Sequence, residues 1–470
     1  MNRLNLIDSS FLIAENRETP MHTGGVHLYS YPKGVDKRQY LSDLRNIFLD
    51  TDDIRPLFTQ RISNDLISKT NLSFSWEKDR EFDIEYHIRH SALPKPGRYR
   101  ELFALVSRLH GTLLDRNRPL WEMHLIEGLE GNQFATYLKT HHCMLDGAAS
   151  MHLFQAMLSK TSRGRIKHSP LSKQVWDKYR KKNLAPAVSA STAGPDIKTL
   201  ADRLSSQFGS GKKLAGALLQ YANVWAGGKT GLNVPWHGVP KSIISSKVTG
   251  SRRFVAQSWP YERVRAVGKA LGGTLNDAVL AMCAGGLRRY LIMSEALPSK
   301  PLKAMVPVSL RTAGDLDSAN AVGFIVANLA TDQSDPGKRF NDIMKSTRAG
   351  KEVFTGLSAS EAALLTQITA SPLLLTRLFG LESALPPFNL VISNVPGARE
   401  KMYLNGARLD GVYPASIITN GQSLNITLVS YGEQLDFGII ACRRSLPHVQ
   451  RLIDCIEEAL CELEDLAGGR

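Results

Sequence analysis

His141-His142-Cys143-Met144-Leu145-Asp146-Gly147 is the stretch on which fold and chemistry turn. Before it, Gln133-Phe134-Ala135-Thr136-Tyr137-Leu138 reads as a strand, and after it Ala148 to Leu158 reads as a helix. The histidines thus stand at a strand end, with Gly147 in a tight turn where a positive φ costs a residue without Cβ least. A histidine so placed suits a general base working near neutral pH. Zinc ligation is the competing use of two histidines and an aspartate. Adjacent residues at a strand end point to opposite faces, so His141 and His142 would not share one ion. No His-Glu-x-x-His pattern joins them, and no metal is expected.

Outward from the motif, strand-like and helix-like runs alternate. Gly24 to Tyr29 and Leu72 to Trp76 read as strands, and Gln39 to Leu49 and Arg100 to Leu114 as helices. Lys160, Arg163, Arg165, Lys167, Lys173, Lys178, Arg180, Lys181 and Lys182 then crowd one short region. A small, proline-bearing run from Ala185 to Pro195 follows, which marks a linker. Leu200, Leu204, Phe208, Leu214, Leu218 and Trp225 suggest helices with one apolar face. From about Arg252 the alternation resumes, with strands expected at Phe254 to Trp259, Ala304 to Leu310, Phe324 to Leu329, Phe388 to Ile392 and Leu424 to Ser430. A hairpin leads into Leu435 to Ala441, and a helix from Leu446 to Leu466 closes the chain. The expectation is two α/β halves of α+β type, 1–158 and 251–470, around a basic, partly helical linker at 159–250. The site would lie in the cleft between the halves.

Bulk properties bound the partners. At 470 residues the chain is too long for one ordinary core, and its 43% hydrophobic and 22% charged content is that of a globular protein. Five scattered cysteines suit a reduced compartment. Met1 to Asp8 lacks the pattern of a signal peptide, and no apolar run approaches a spanning helix, so a cytoplasmic or membrane-surface location is expected. A formal charge of +14 would attract nucleic acid, anionic lipid or a phosphate-rich co-substrate. No nucleic-acid-binding signature appears, so nucleic acid is not an expected partner.

The His-His-x-x-x-Asp-Gly pattern resembles the active-site motif of the coenzyme-A-dependent acyltransferase superfamily, which includes chloramphenicol acetyltransferase, carnitine acyltransferases and peptide-synthetase condensation domains. Within it the chain is similar to the bacterial wax ester synthase/diacylglycerol acyltransferase family. That likeness is carried by Ile7 to Leu12 with Thr19-Pro20-Met21-His22, by Arg118-Pro119-Leu120-Trp121-Glu122, by Leu275-Asn276-Asp277 and by Ser393-Asn394-Val395-Pro396-Gly397. It spans essentially the whole chain.

The resemblance implies two chloramphenicol-acetyltransferase-like domains. It also implies transfer of a long-chain acyl group from acyl-CoA, as co-substrate, to a fatty alcohol or diacylglycerol, with no tightly bound cofactor. His142 would be the base, supported by His141 and Gly147, and Asp146 would pair with Arg311 to shape the loop. Thr274-Leu275-Asn276-Asp277 is also a capping-box-like helix start. Asn276, with Ser393 or Asn394, is a candidate donor to the oxyanion or to an acyl carbonyl. Pro119, Leu120 and Trp121 would pack at a channel wall. Leu435-Asp436-Phe437-Gly438 resembles a structural motif of plant relatives, and the apolar run Leu364 to Phe379 could line an acyl tunnel. Substrates that partition into lipid imply attachment to an anionic membrane or lipid-inclusion surface at the inner face. The alternatives are a carrier-linked, condensation-type enzyme and a lipid-surface protein without catalysis.

Overall fold

The strand that ends in His141 is β7 (Gln133–His141), and it lies inside a six-stranded sheet. Its antiparallel neighbours are β2 (His22–Ser30) and β6 (Trp121–Leu129). β5 (Ile88–Ala92) runs parallel outside β6, while β13 (Ala407–Ala415) and β12 (Tyr403–Leu404) extend the sheet beyond β2. In this computed structural model residues 2–4, 6–63, 74–145, 147–183, 212–228, 230–309, 322–378 and 380–468 are described. From Phe134 onward β7 is buried on both faces, so its polar residues Thr136, Lys139, Thr140 and His141 are enclosed along with the apolar ones.

A second six-stranded sheet is ordered β10 (Val322–Asn328), β9 (Lys303–Ser309), β11 (Leu390–Pro396), β14 (Leu424–Tyr431), β15 (Gln434–Cys442) and β8 (Arg252–Pro260). β11 pairs in parallel with β14 from Val391 to Pro396, but with β9 only at Leu390 and Val391, so β9 and β11 part toward Asn394. A small third sheet joins β1 (Asn2–Arg3), β4 (Ser75–Lys78) and β3 (Gln60–Ile62).

Helices α1 (Leu6–Ala14), α2 (Lys37–Phe48), α3 (Ile84–His87), α4 (Tyr99–His110) and α5 (Gly147–Ala156) belong to the first half. Asp36 caps α2 by accepting the Gln39 N–H at 2.7 Å. The basic segment contains α6 (Lys173–Asn183) and α7 (Lys212–Trp225). α6 is docked on the first half: the Lys173 N–H donates to Asp53 O at 2.7 Å, and the Arg55 guanidinium lies 4.2 Å from the Trp176 ring centroid. Of the linker expected at 159–250, residues 184–211, which include the run Ala185 to Pro195, lie outside the described residues.

In the second half, α8 (Tyr261–Ala270), α9 (Leu275–Met293), α10 (Pro336–Glu352), α11 (Ala359–Leu378) and α12 (Arg451–Gly468) cover the second sheet. α9 is buried almost all round from Asp277 to Leu287, the pattern of a central core helix. The closing helix begins at Arg451 rather than at Leu446, because His448 and Val449 carbonyls accept from Arg451 and Leu452 in tighter turns.

Segment 251–470 contributes strands to both sheets, since β12 and β13 complete the first. β13 packs across β14 and β15. Asp436, fully buried, accepts the Val412 N–H at 2.8 Å and the Ser258 hydroxyl at 2.6 Å. A Cβ on Gly438 would stand 1.7 Å from Pro414 O, so only glycine permits this approach. Leu435 to Gly438 thus locks the two sheets together. The seam has its own apolar cluster, in which Val26, Val106 and Tyr137 meet Phe254, Ile440 and Cys442.

Candidate active site

The two motif histidines have different surroundings. His141 is fully buried, and its backbone N–H donates to Leu120 O at 2.9 Å. Its Nδ1 accepts the Cys143 N–H at 3.1 Å, and its Nε2 lies 3.4 Å from Glu15 Oε1. His142 is half-buried; its backbone N–H donates to Met21 O at 2.9 Å, and its ring stacks on Phe11 with centroids 4.2 Å and planes 19° apart. The alternation expected at a strand end therefore turns one imidazole inward and the other toward α1.

Glu15 sits behind the motif, its side chain 2% exposed. It accepts the Met21 N–H at 3.0 Å, and its second oxygen takes Arg116 Nε and Nη2 at 3.2 and 3.1 Å. Burial alone would raise this carboxyl, but His141, the Met21 amide and Arg116 outweigh it and hold the group below its ordinary range. Beneath β7 lies a further buried polar layer. His22 Nε2 donates to His110 O at 2.8 Å, His110 Nδ1 meets the Tyr137 hydroxyl at 2.8 Å, and Lys139 Nζ donates to Leu109 and Thr112 carbonyls at 3.0 and 2.5 Å. Burial, with Lys139 nearby, keeps the His22 imidazole neutral far below its usual range, and burial brings Lys139 down to about 8.

Gly147 opens α5 and is not in the positive-φ region, so the left-handed turn expected from sequence is not what the structure contains. A Cβ there would meet nothing within 4 Å, so packing among the described residues does not demand glycine at this position. Asp146 and Arg311, expected to pair, lie outside the described residues. Pro119, Leu120 and Trp121 are buried in the core. Trp121 donates from Nε1 to Phe58 O at 2.9 Å and stacks on His87, and the segment reaches the motif through the Leu120 carbonyl.

Asp277 completes a capping box, accepting the Thr274 N–H and hydroxyl at 2.8 and 2.7 Å, and it also accepts the Thr347 hydroxyl at 2.7 Å. Next to it, Asn276 is exposed and its Oδ1 accepts from Asn394 Nδ2 at 2.7 Å, so two separate sequence stretches meet at the point where β9 and β11 part. Ser393 is half-buried one residue earlier on β11. Val395 and Ala398 pack against the cluster containing Cys143, Met144 and Leu145. α11, which holds most of the apolar run Leu364 to Phe379, touches α1, the helix that carries Phe11; Phe379 itself lies outside the described residues.

Residues 4–279 match the model of the wax ester synthase/diacylglycerol acyltransferase catalytic domain, and residues 318–464 match the C-terminal domain of the same family. The chain belongs to this family. A Mycobacterium tuberculosis protein whose assigned name is a diacylglycerol O-acyltransferase is 44% identical over 466 residues, with 98% of this chain and 99% of that protein covered. The O-acyltransferase WSD of Acinetobacter baylyi is 39% identical over 98% of this chain and 96% of its own. The wax ester synthase/diacylglycerol acyltransferase from Marinobacter aquaeolei superimposes with a TM-score of 0.74 at 38% identity, covering 99% of both chains. The first condensation domain of the CDA synthetase has a TM-score of 0.53 at 16% identity over 99% and 95%, a likeness of fold alone.

As a member of the wax ester synthase/diacylglycerol acyltransferase family, the protein is an acyltransferase. Sequence reasoning named His142, Asn276 and Asn394 but passed over Glu15 and Arg116. No short-range pattern marks them. The one available signal is placement, since Glu15 falls between the family stretches Ile7 to Leu12 and Thr19 to His22, and Arg116 falls two residues before Arg118.

Proposed function

We propose that the protein moves a long-chain acyl group from acyl-CoA to the hydroxyl of a long-chain alcohol or a diacylglycerol, with His142 as general base. The observation that carries this reading is the contrast between the histidines. His141 is fully enclosed, with Nδ1 bonded to the Cys143 N–H and Nε2 facing Glu15, whereas His142 is half-buried just past the end of β7, within reach of a substrate. In the proposed step His142 takes the acceptor's proton as its oxygen attacks the thioester carbonyl carbon. The tetrahedral intermediate then collapses, the C–S bond breaks, and the imidazolium returns the proton to the coenzyme A sulfur. A thiolate leaves readily, so a direct ternary complex suffices and no tightly bound cofactor is needed. Asn276 and Asn394 are the proposed amide pair for the oxyanion, where one donor is worth about 3–4 kcal/mol. Only the amide N–H groups of this pair would serve the oxyanion; the buried, unpartnered Asn394 Oδ1 is an acceptor and supports a ligand that donates a hydrogen bond, such as the acceptor hydroxyl, beside them. No single helix among the described residues is long and apolar enough to cross a membrane. Attachment of α6 to an anionic lipid surface is therefore the proposed route to these acceptors.

The test is thiol release from palmitoyl-CoA with hexadecanol as acceptor. His142→Ala is expected to lower the rate by a factor of about 100 to 10,000 with unchanged circular dichroism. His141→Ala should keep part of the activity. Equal and total loss in both folded variants would show that the base is not His142 alone.

A further inference from the structure

We propose that Glu15 is a positioning residue for the acyl transfer, fixing the orientation of His142 through three separate contacts. The inference rests on His142 being the base. The first contact is with the neighbouring imidazole. The Cys143 N–H donates to His141 Nδ1 at 3.1 Å, so Nδ1 is an acceptor and the proton of the neutral ring belongs on Nε2. That nitrogen faces Glu15 Oε1 at 3.4 Å, a charge contact without hydrogen-bond geometry, and the carboxylate's charge favours the Nε2-protonated ring turned toward it.

The second contact runs through Met21. The same oxygen of Glu15 accepts the Met21 N–H at 3.0 Å, and the Met21 carbonyl accepts the backbone N–H of His142 at 2.9 Å. The third runs through Arg116. Its guanidinium grips the other Glu15 oxygen at 3.1 and 3.2 Å and also donates to Leu12 O at 2.5 Å, in the helix whose Phe11 stacks on His142. One carboxylate thus secures the residue before the base, the peptide opposite it and the ring against it. A carboxylate buried to this degree costs stability unless its oxygens are occupied, and here the Met21 amide and Arg116 occupy both.

Glu15→Gln tests this. The amide retains an oxygen for the Met21 N–H but loses the charge facing His141 and Arg116. With palmitoyl-CoA and hexadecanol, kcat is expected to fall about 10- to 100-fold, as for a misplaced catalytic group, while KM for palmitoyl-CoA stays within about 2-fold. Circular dichroism should be unchanged, and the double variant Glu15→Gln/His142→Ala should be no slower than His142→Ala alone. A wild-type kcat in Glu15→Gln, a raised KM at constant kcat, or a fall that matches the loss of folded protein would each overturn the proposal. If His142→Ala is itself fully active, the base assignment fails and the inference falls with it. If His142→Ala is inactive while Glu15→Gln is not, only the inference falls. Should Glu15→Gln not fold, Arg116→Gln, on a part-exposed side chain, is expected to lower kcat with KM preserved, and a wild-type kcat there overturns the proposal equally.

Discussion

Phe11 lies flat against His142, and such a stack contributes about 0.5–1.5 kcal/mol beyond simple burial. In the proposed mechanism its use would be to hold the imidazole in one plane while a proton is taken and returned. Phe11→Leu keeps most of the volume and removes the plane, so kcat should fall roughly 2- to 10-fold with little change in thermal midpoint. Steady-state kinetics beside a melting curve would check this, and an unchanged kcat would reduce Phe11 to a space-filler. At this scale the sequence is legible where chemistry is local. The His-His-x-x-x-Asp-Gly pattern names His142, and Thr274 with Asp277 announces a cap that the structure contains. It is not legible where a contact joins distant residues. Glu15 and Arg116 are 101 positions apart, and nothing in either neighbourhood marks their partner.

Strands β13 and β15 meet through Asp436, whose carboxyl is raised from 3.8 to about 6 by burial, against the opposing pull of Ser258 and Val412. A raised carboxyl holds its proton in the folded state at pH values where the unfolded chain has already released it. Stability from this group is therefore fully present below about pH 4 and declines as pH rises to about 6, by about 3 kcal/mol in all. Asp436→Asn does not titrate, so it isolates the effect. Thermal midpoints measured from pH 4 to pH 7 should show the wild type losing ground to the variant between pH 4 and 6, and no further change above. A constant difference would mean that Asp436 titrates alike in both states. The strands themselves were readable from their apolar character, and a structural role for Leu435 to Gly438 was expected. The partner was not readable, because the Pro414 carbonyl that excludes every Cβ from Gly438 belongs to a strand of the other sheet.

Two similar α/β halves could be read from the sequence because each repeats the same alternation of strand and helix. That β12 and β13 cross over to the first sheet could not, since a strand's period states which face is buried but not which sheet receives it. The same limit applies to the basic region, where charge is visible in sequence but its orientation is not. Of the cations from Lys160 to Lys182, Lys160 is paired with Glu400 at 2.5 Å, and Arg165 donates to the Ser162 and Gly164 carbonyls. On α6, Val175, Trp176 and Tyr179 are partly buried, while Lys178, Lys181 and Lys182 are exposed. The proposed docking on anionic lipid therefore concentrates on these three lysines. Each contributes about 1 kcal/mol near an anionic surface, so together they change vesicle binding by roughly 100-fold at low salt, and less as added salt shortens the Debye length. Flotation with anionic and neutral vesicles should show salt-sensitive binding to the anionic ones alone. Changing Lys178, Lys181 and Lys182 to Gln should weaken it while KM for palmitoyl-CoA stays unchanged, because the proposed base, its Glu15 clamp and the asparagine pair are all built from other segments. Normal vesicle binding by this variant, together with a raised KM, would instead assign the three lysines to the phosphates of coenzyme A.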